Sequence, residues 1–182
     1  MKNIFEQGKL QSLQDVMDNR DDRNDLQNEL VAKYPQQTLV AIKLNIPGPI
    51  KNNADLSRLF SIGYNEFKHY LVQTGFTISA EINWNRATGC ETFLVIEQAA
   101  LALKKAAIQF EDGRQLGRLF DIDVMDQTLG HLSRRNFDLP VRTCLICSRP
   151  AKACARSRRH SVAILQQKIS EIYATLPPAG EQ

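Results

Sequence analysis

No stretch of this chain approaches the roughly 20 apolar residues that a bilayer-spanning helix needs, and the opening MKNIFEQGKLQSLQD has no apolar signal-peptide core. A soluble protein in the cytoplasm, with no membrane partner, is therefore expected. Four cysteines are too few to staple a secreted scaffold. There is no internal repeat and no low-complexity tract. The G-x-x-x-x-G-K-[ST] spacing of a P-loop is missing. His69 and His131 stand alone in sequence, so no Ser/His/Asp or Cys/His arrangement stands out. What is present is ordinary globular material, with 43% hydrophobic and 24% charged residues in 182. That is enough to bury a core without disulfide or metal support. A single domain over 1–182 is expected, with a Cys/Arg-rich segment at 141–160 and a C-terminal helix.

Charge is unevenly placed. Residues 131–160 carry eight basic side chains against the single Asp138, a net +7 in a chain whose total is +3, so the remainder is −4. A basic C-terminal third on a mildly acidic body implies a localised anionic partner: polyphosphate, nucleotide or nucleic acid. Phe137 is the only aromatic residue in that window, which is poor equipment for stacking bases. A zinc-knuckle-type nucleic-acid-binding module is thus the weaker alternative.

Periodicity and breakers give the elements. Residues 10–33, with Leu13, Val16, Met17, Leu26, Leu30 and Val31 and Ser12 as N-cap, read as one broken or two short helices closed by Pro35. Thr38 to Ile46 is a dense apolar run of strand length stopped by Pro47-Gly48-Pro49. Leu56, Phe60, Tyr64, Phe67 and Leu71 form a helical stripe between an Asn53 cap and Gly75. Strands at 76–86 and 91–96 read as a hairpin, 99–110 as a helix ended by Gly113, and 119–125 as a strand turning back at Gly130. Val162, Leu165, Ile169, Ile172 and Leu176 mark a last helix before Pro177-Pro178, whereas 138–160 has no period. The fold class expected is α+β, a mixed or antiparallel sheet flanked by helices.

The chemistry concentrates in Gly117-Arg118-Leu119-Phe120-Asp121-Ile122-Asp123-Val124. On a strand, Asp121 and Asp123 share one face while Phe120, Ile122 and Val124 share the other. Two like charges so placed can share a divalent cation such as Mg²⁺, with phosphate oxygens completing its shell. Arg118 precedes this strand, and Arg134 and Arg135 follow its hairpin partner; guanidinium forks suit phosphate. Lys51, at a helix start after the proline turn, is a further phosphate ligand. Cys144, Cys147, Cys154 and His160 spell C-x2-C-x6-C-x5-H, which fits a closed structural zinc site. Buried packing thiols or redox thiols are the readings that spacing alone leaves open. Trp84 is expected in the core.

Pro47-Gly48-Pro49-Ile50-Lys51, Leu116-Gly117-Arg118-Leu119-Phe120-Asp121-Ile122-Asp123-Val124, Leu132-Ser133-Arg134-Arg135 and Cys144-x2-Cys147-x6-Cys154-Ala155-Arg156, in this order, resemble the citrate lyase holo-acyl-carrier-protein synthase family. The likeness runs from about residue 20 to about residue 165, and its middle motif is the specific part. It implies an apo-citrate lyase phosphoribosyl-dephospho-CoA transferase, a nucleotidyltransferase, and with it a nucleotidyltransferase-like fold. The substrate implied is 2′-(5″-triphosphoribosyl)-3′-dephospho-CoA, and the partner is the acyl carrier subunit of citrate lyase, whose serine supplies the nucleophile. On that reading Asp121 and Asp123 hold Mg²⁺ while Arg118, Arg134, Arg135 and Lys51 neutralise phosphate charge. A non-catalytic lyase assembly factor is the remaining alternative. The resemblance brings no zinc with it.

Overall fold

The computed structural model describes residues 2–177. It contains a five-stranded sheet, antiparallel throughout, which settles the choice between a mixed and an antiparallel sheet. In chain order the elements are α1 (Leu13–Lys33), β1 (Thr38–Leu44), α2 (Ala54–Gln73), β2 (Ile78–Arg86), β3 (Gly89–Ile96), α3 (Ala100–Gly113), β4 (Phe120–Asp126), β5 (Gly130–Leu132), α4 (Ala151–Arg156) and α5 (Val162–Ala174). Single 3-10 turns occupy Gly117–Leu119 and Arg134–Phe137. The strand order is β2-β3-β1-β4-β5, so the first strand to form in sequence ends up central. The fold is α+β.

Alternation along the strands divides the sheet into two unequal faces. Val40, Ile42, Leu94, Ile96, Phe120, Ile122 and Val124 point to one side and merge with α2, α3 and α5 into the main core. Leu39, Ala41, Phe93, Val95 and Met125 point to the other, where α1 covers them with Leu26, Leu30 and Val31. α1 is one unbroken 21-residue helix rather than two pieces, begun by a capping box in which Ser12 and Asp15 bond each other's backbone N–H. Its first turns overhang the sheet, so Leu13 and Met17 are exposed instead of joining an apolar stripe. Trp84 packs edge-on against Phe93 beneath this helix and carries the Arg86 guanidinium 3.6 Å from its ring centre.

Two glycines fit close approaches in the main core. A Cβ at Gly63 would lie 2.3 Å from the Phe120 ring, and one at Gly117 would lie 2.0 Å from the Phe110 carbonyl oxygen. Either would force the turn before β4 away from α2 and α3. The N-caps Asn53 and Ser161 each accept a backbone N–H at the starts of α2 and α5. α5 ends at Ala174, short of Leu176, and Pro178 lies outside the described residues.

Candidate active site

β4 places Asp121 and Asp123 on the α1 side of the sheet, beyond the cover that α1 provides. Their side chains remain 43% and 42% exposed. β1 lies beside them, with Lys43 opposite Asp121 and Ala41 opposite Asp123. The Lys43 ammonium donates to Asp121 Oδ2 at 2.5 Å and to Asp123 Oδ2 at 3.1 Å, so both carboxylates converge on one cation. Burial pulls the Lys43 pKa down, but the two carboxylates outweigh it and raise it. Burial pushes Asp121 up, yet Lys43, with Arg142 and Lys104 further off, holds it below the ordinary aspartate value.

The charged row continues across the sheet. Glu91 on β3 faces Lys43 from the other side, is only 4% exposed, and accepts hydrogen bonds from Arg23 and Asn19 on α1. A cleft of about 200 Å³ opens here, lined by Asn19, Arg23, Lys43, Lys51 and Glu91, with Asn45 at its end. Arg23 is already paired with Glu91 and Lys43 with the two aspartates, so Lys51 is the cation of this cleft with no carboxylate partner among the described residues. Lys51 is half-buried, donates to the Ile46 carbonyl at 2.6 Å, and has its pKa lowered by burial. Asn45 also lines a second cleft of about 460 Å³ between the 3-10 turn at 117–119, the cysteine-rich segment and α5, into which Arg118, Arg142 and Arg158 face. Asn45 is the one lining residue the two clefts share.

The arginines expected around the aspartates are dispersed. Arg118 donates to the carbonyls of Thr143 and Cys144 and to the Thr143 hydroxyl, tying the cysteine-rich segment to the motif. Arg134 has its fork taken by Glu111 and Asp112 at 2.6–2.9 Å, is 15% exposed, and lines neither cleft. Arg135 stays exposed on its 3-10 turn, outside both clefts. β5 pairs only with Val124–Asp126, and the rest of that edge of β4 is finished by side chains. Glu111 accepts the Ile122 N–H, Lys104 donates to the Ile122 carbonyl, and Arg142 donates to the carbonyls of Phe120 and Arg118.

Lys43, Arg23, Glu91 and Arg142 escaped the sequence reading. Lys43 did leave a signal, being the only charge in TLVAIKL and two residues from Ala41 on the same face. Arg23 left none, because α1 shows several polar faces. Cys144, Cys147, Cys154 and His160 do converge, with one ligand atom from each lying within 4.8 Å of the others. Cys90 sits apart, within reach of Ser57 and Asn52.

Paired carboxylates held by a lysine beside a cleft with cations on its wall are compatible with a group-transfer enzyme that handles phosphate. The CitX family model, described as apo-citrate lyase phosphoribosyl-dephospho-CoA transferase, matches residues 11–176. The chain belongs to that family. It is 35% identical over 154 residues to the apo-citrate lyase phosphoribosyl-dephospho-CoA transferase of Citrobacter koseri, covering 85% of this chain and 84% of that protein. It is 33% identical over 174 residues to a probable enzyme of the same name from Streptococcus pyogenes serotype M18, covering 94% and 90%. A protein named CitXG from Leuconostoc mesenteroides subsp. cremoris is 36% identical over 161 residues, 87% of this chain, and this chain spans about a third (34%) of its length.

Proposed function

We propose that this chain transfers the phosphoribosyl-dephospho-CoA group of 2′-(5″-triphosphoribosyl)-3′-dephospho-CoA to a serine of the apo acyl carrier subunit of citrate lyase. The serine oxygen bonds to the α-phosphorus, the α–β phosphoanhydride bond breaks, and diphosphate leaves. The observation that carries the reading is the convergence of Asp121 and Asp123 on one ammonium, half-exposed, next to a cleft lined by Arg23, Lys43 and Lys51. Cytoplasmic thiols remain reduced, and the chain's four cysteines are free. Among the described residues no helix is long and apolar enough to cross a membrane. We therefore place the reaction in the cytoplasm.

Asp121 and Asp123 would hold Mg²⁺, since carboxylate oxygens already gathered around one cation are the hard donors this ion takes. When bound, the ion supplies charge neutralisation at the triphosphate. Lys43, Arg23 and Lys51 would hold phosphate oxygens of the precursor at the cleft wall. Asp123, held less tightly by Lys43 than Asp121 is, accepts the serine proton as the bond forms. Asn45 lines both this cleft and the larger one, where Arg118, Arg142 and Arg158 surround a more apolar space suited to the rest of the long precursor.

Intact mass of the apo carrier after incubation with this chain, the precursor and Mg²⁺ tests the proposal. The expected result is one added phosphoribosyl-dephospho-CoA group with one diphosphate released per carrier. An unmodified carrier, with salt-dependent binding of arbitrary RNA by the chain, would favour the nucleic-acid module instead. An unmodified carrier without RNA binding would leave an assembly factor.

A further inference from the structure

The cysteine-rich segment has no regular sheet partner, yet it is anchored in three places. Cys144 and Cys147 sit on a tight loop whose ends are joined by a Thr143–Pro150 bridge and by the Cys144 N–H donating to the Arg149 carbonyl at 2.7 Å. Cys154 lies in α4, and His160 precedes the cap of α5. These are separate pieces of backbone, and nothing in apolar packing requires three thiols and an imidazole to point at one spot.

They do so nonetheless. Cys147 Sγ lies 3.6 Å from Cys154 Sγ and 3.4 Å from His160 Nε2, and all four ligand atoms fall within 4.8 Å of one another. Tetrahedral zinc, with bonds of about 2.3 Å to sulfur and about 2.0 Å to nitrogen, sets its ligand atoms roughly 3.5–3.8 Å apart. The loop also directs the Ile146 N–H at Cys144 Sγ, an amide contact that supports a thiolate at the metal. Cys144 and Cys154 are buried, at 9% and 6% exposure. A redox pair would need two sulfurs, whereas this cluster brings together a full set of four ligands.

We propose that Cys144, Cys147, Cys154 and His160 bind one structural Zn²⁺. Four protein ligands leave no open coordination position, so the ion stabilises the segment without entering the chemistry. Its effect on the proposed active site is indirect. The loop it closes carries Thr143 and Cys144, which accept from Arg118, and it follows Arg142, which finishes the edge of β4. Zinc thus fixes one wall of the larger cleft and the backbone on which Asp121 stands.

The test uses the full chain without substrate, so its outcome is separate from that of the transfer reaction. Protein purified under reducing conditions should contain one zinc per chain. Reduced, metal-free protein titrated with Co²⁺ should give the intense visible bands of tetrahedral thiolate coordination, lost on adding zinc. Cys154→Ser should weaken zinc binding by at least about a hundredfold, since loss of merely a supporting contact costs 10–100-fold, while Cys90→Ser should keep full stoichiometry. Chelation should raise hydrogen exchange across residues 142–161. If Cys154→Ser fails to fold, the cobalt titration of the unaltered chain still decides. A folded, reduced chain with only trace zinc and no tetrahedral cobalt spectrum would overturn the proposal, as would a Cys147–Cys154 disulfide that forms and leaves stability unchanged.

Discussion

Two acid–base clusters hang on β4, built from similar groups and destined for different work. On the sheet face, Lys43 holds Asp121 and Asp123, and both aspartates remain more than 40% exposed. On the strand edge, Arg134 holds Glu111, only 6% exposed at its side chain, and Asp112, which is 44% exposed. The second cluster is closed on its Glu111 side. Its guanidinium is filled by two carboxylates, and one of those also accepts the Ile122 backbone N–H. The first cluster is open, with two charges sharing one cation and solvent on the far side. Charge type alone does not distinguish a clamp from a site; spare coordination does.

The largest effect that would sharpen this contrast is expected from Asp121→Asn and Asp123→Asn. Each should lower carrier labelling by roughly 10²–10⁴-fold at saturating precursor. Each should also change unfolding free energy by about 1 kcal/mol or less, because the ion pairs are half-exposed. Near-normal labelling by both variants would remove the dyad from the chemistry.

Arg134→Ala should reverse the pattern. It leaves Glu111 buried without its partner and should cost about 3 kcal/mol of stability, the low end for breaking a buried pair. Turnover of the folded fraction should stay within severalfold. Denaturant unfolding and labelling rates measured on one preparation would check it; a stable variant with abolished labelling would restore Arg134 as a phosphate ligand.

The smallest expected effect is in acid. Asp112 has its pKa lowered, first by the hydrogen bond from Arg134 and against the effect of burial. A depressed carboxylate contributes stability that is fully present above its unfolded pKa of about 3.9 and is lost as pH falls through its lower folded value. Asp121 is depressed as well, chiefly by Lys43 against burial. Melting temperature should therefore decline below about pH 4, and more shallowly in Arg134→Ala than in the unaltered chain. Parallel declines in the two proteins would show that Asp112 owes its shift to something else.

Much of this molecule was legible in its sequence because the information was local. Helical stripes and caps at Ser12 and Asn53, the strand between Thr38 and the proline turn, and the pairing of Asp121 with Asp123 on one face follow from backbone periods of 3.6 and 2. The C-x2-C-x6-C-x5-H spacing likewise pointed to four ligands that do meet. Tertiary structure decided which charges meet across strands. Only the antiparallel pairing of β1 between β3 and β4 puts Lys43 between Glu91 and Asp121, although these residues are 48 and 78 positions away in the chain. The short β5 covers only the last residues of β4, so Lys104, Glu111 and Arg142 finish the rest of that edge, and Arg134 is held by Glu111 rather than set beside the aspartates. Sequence proximity placed the arginines near the motif; the need to satisfy buried backbone groups determined what they hold.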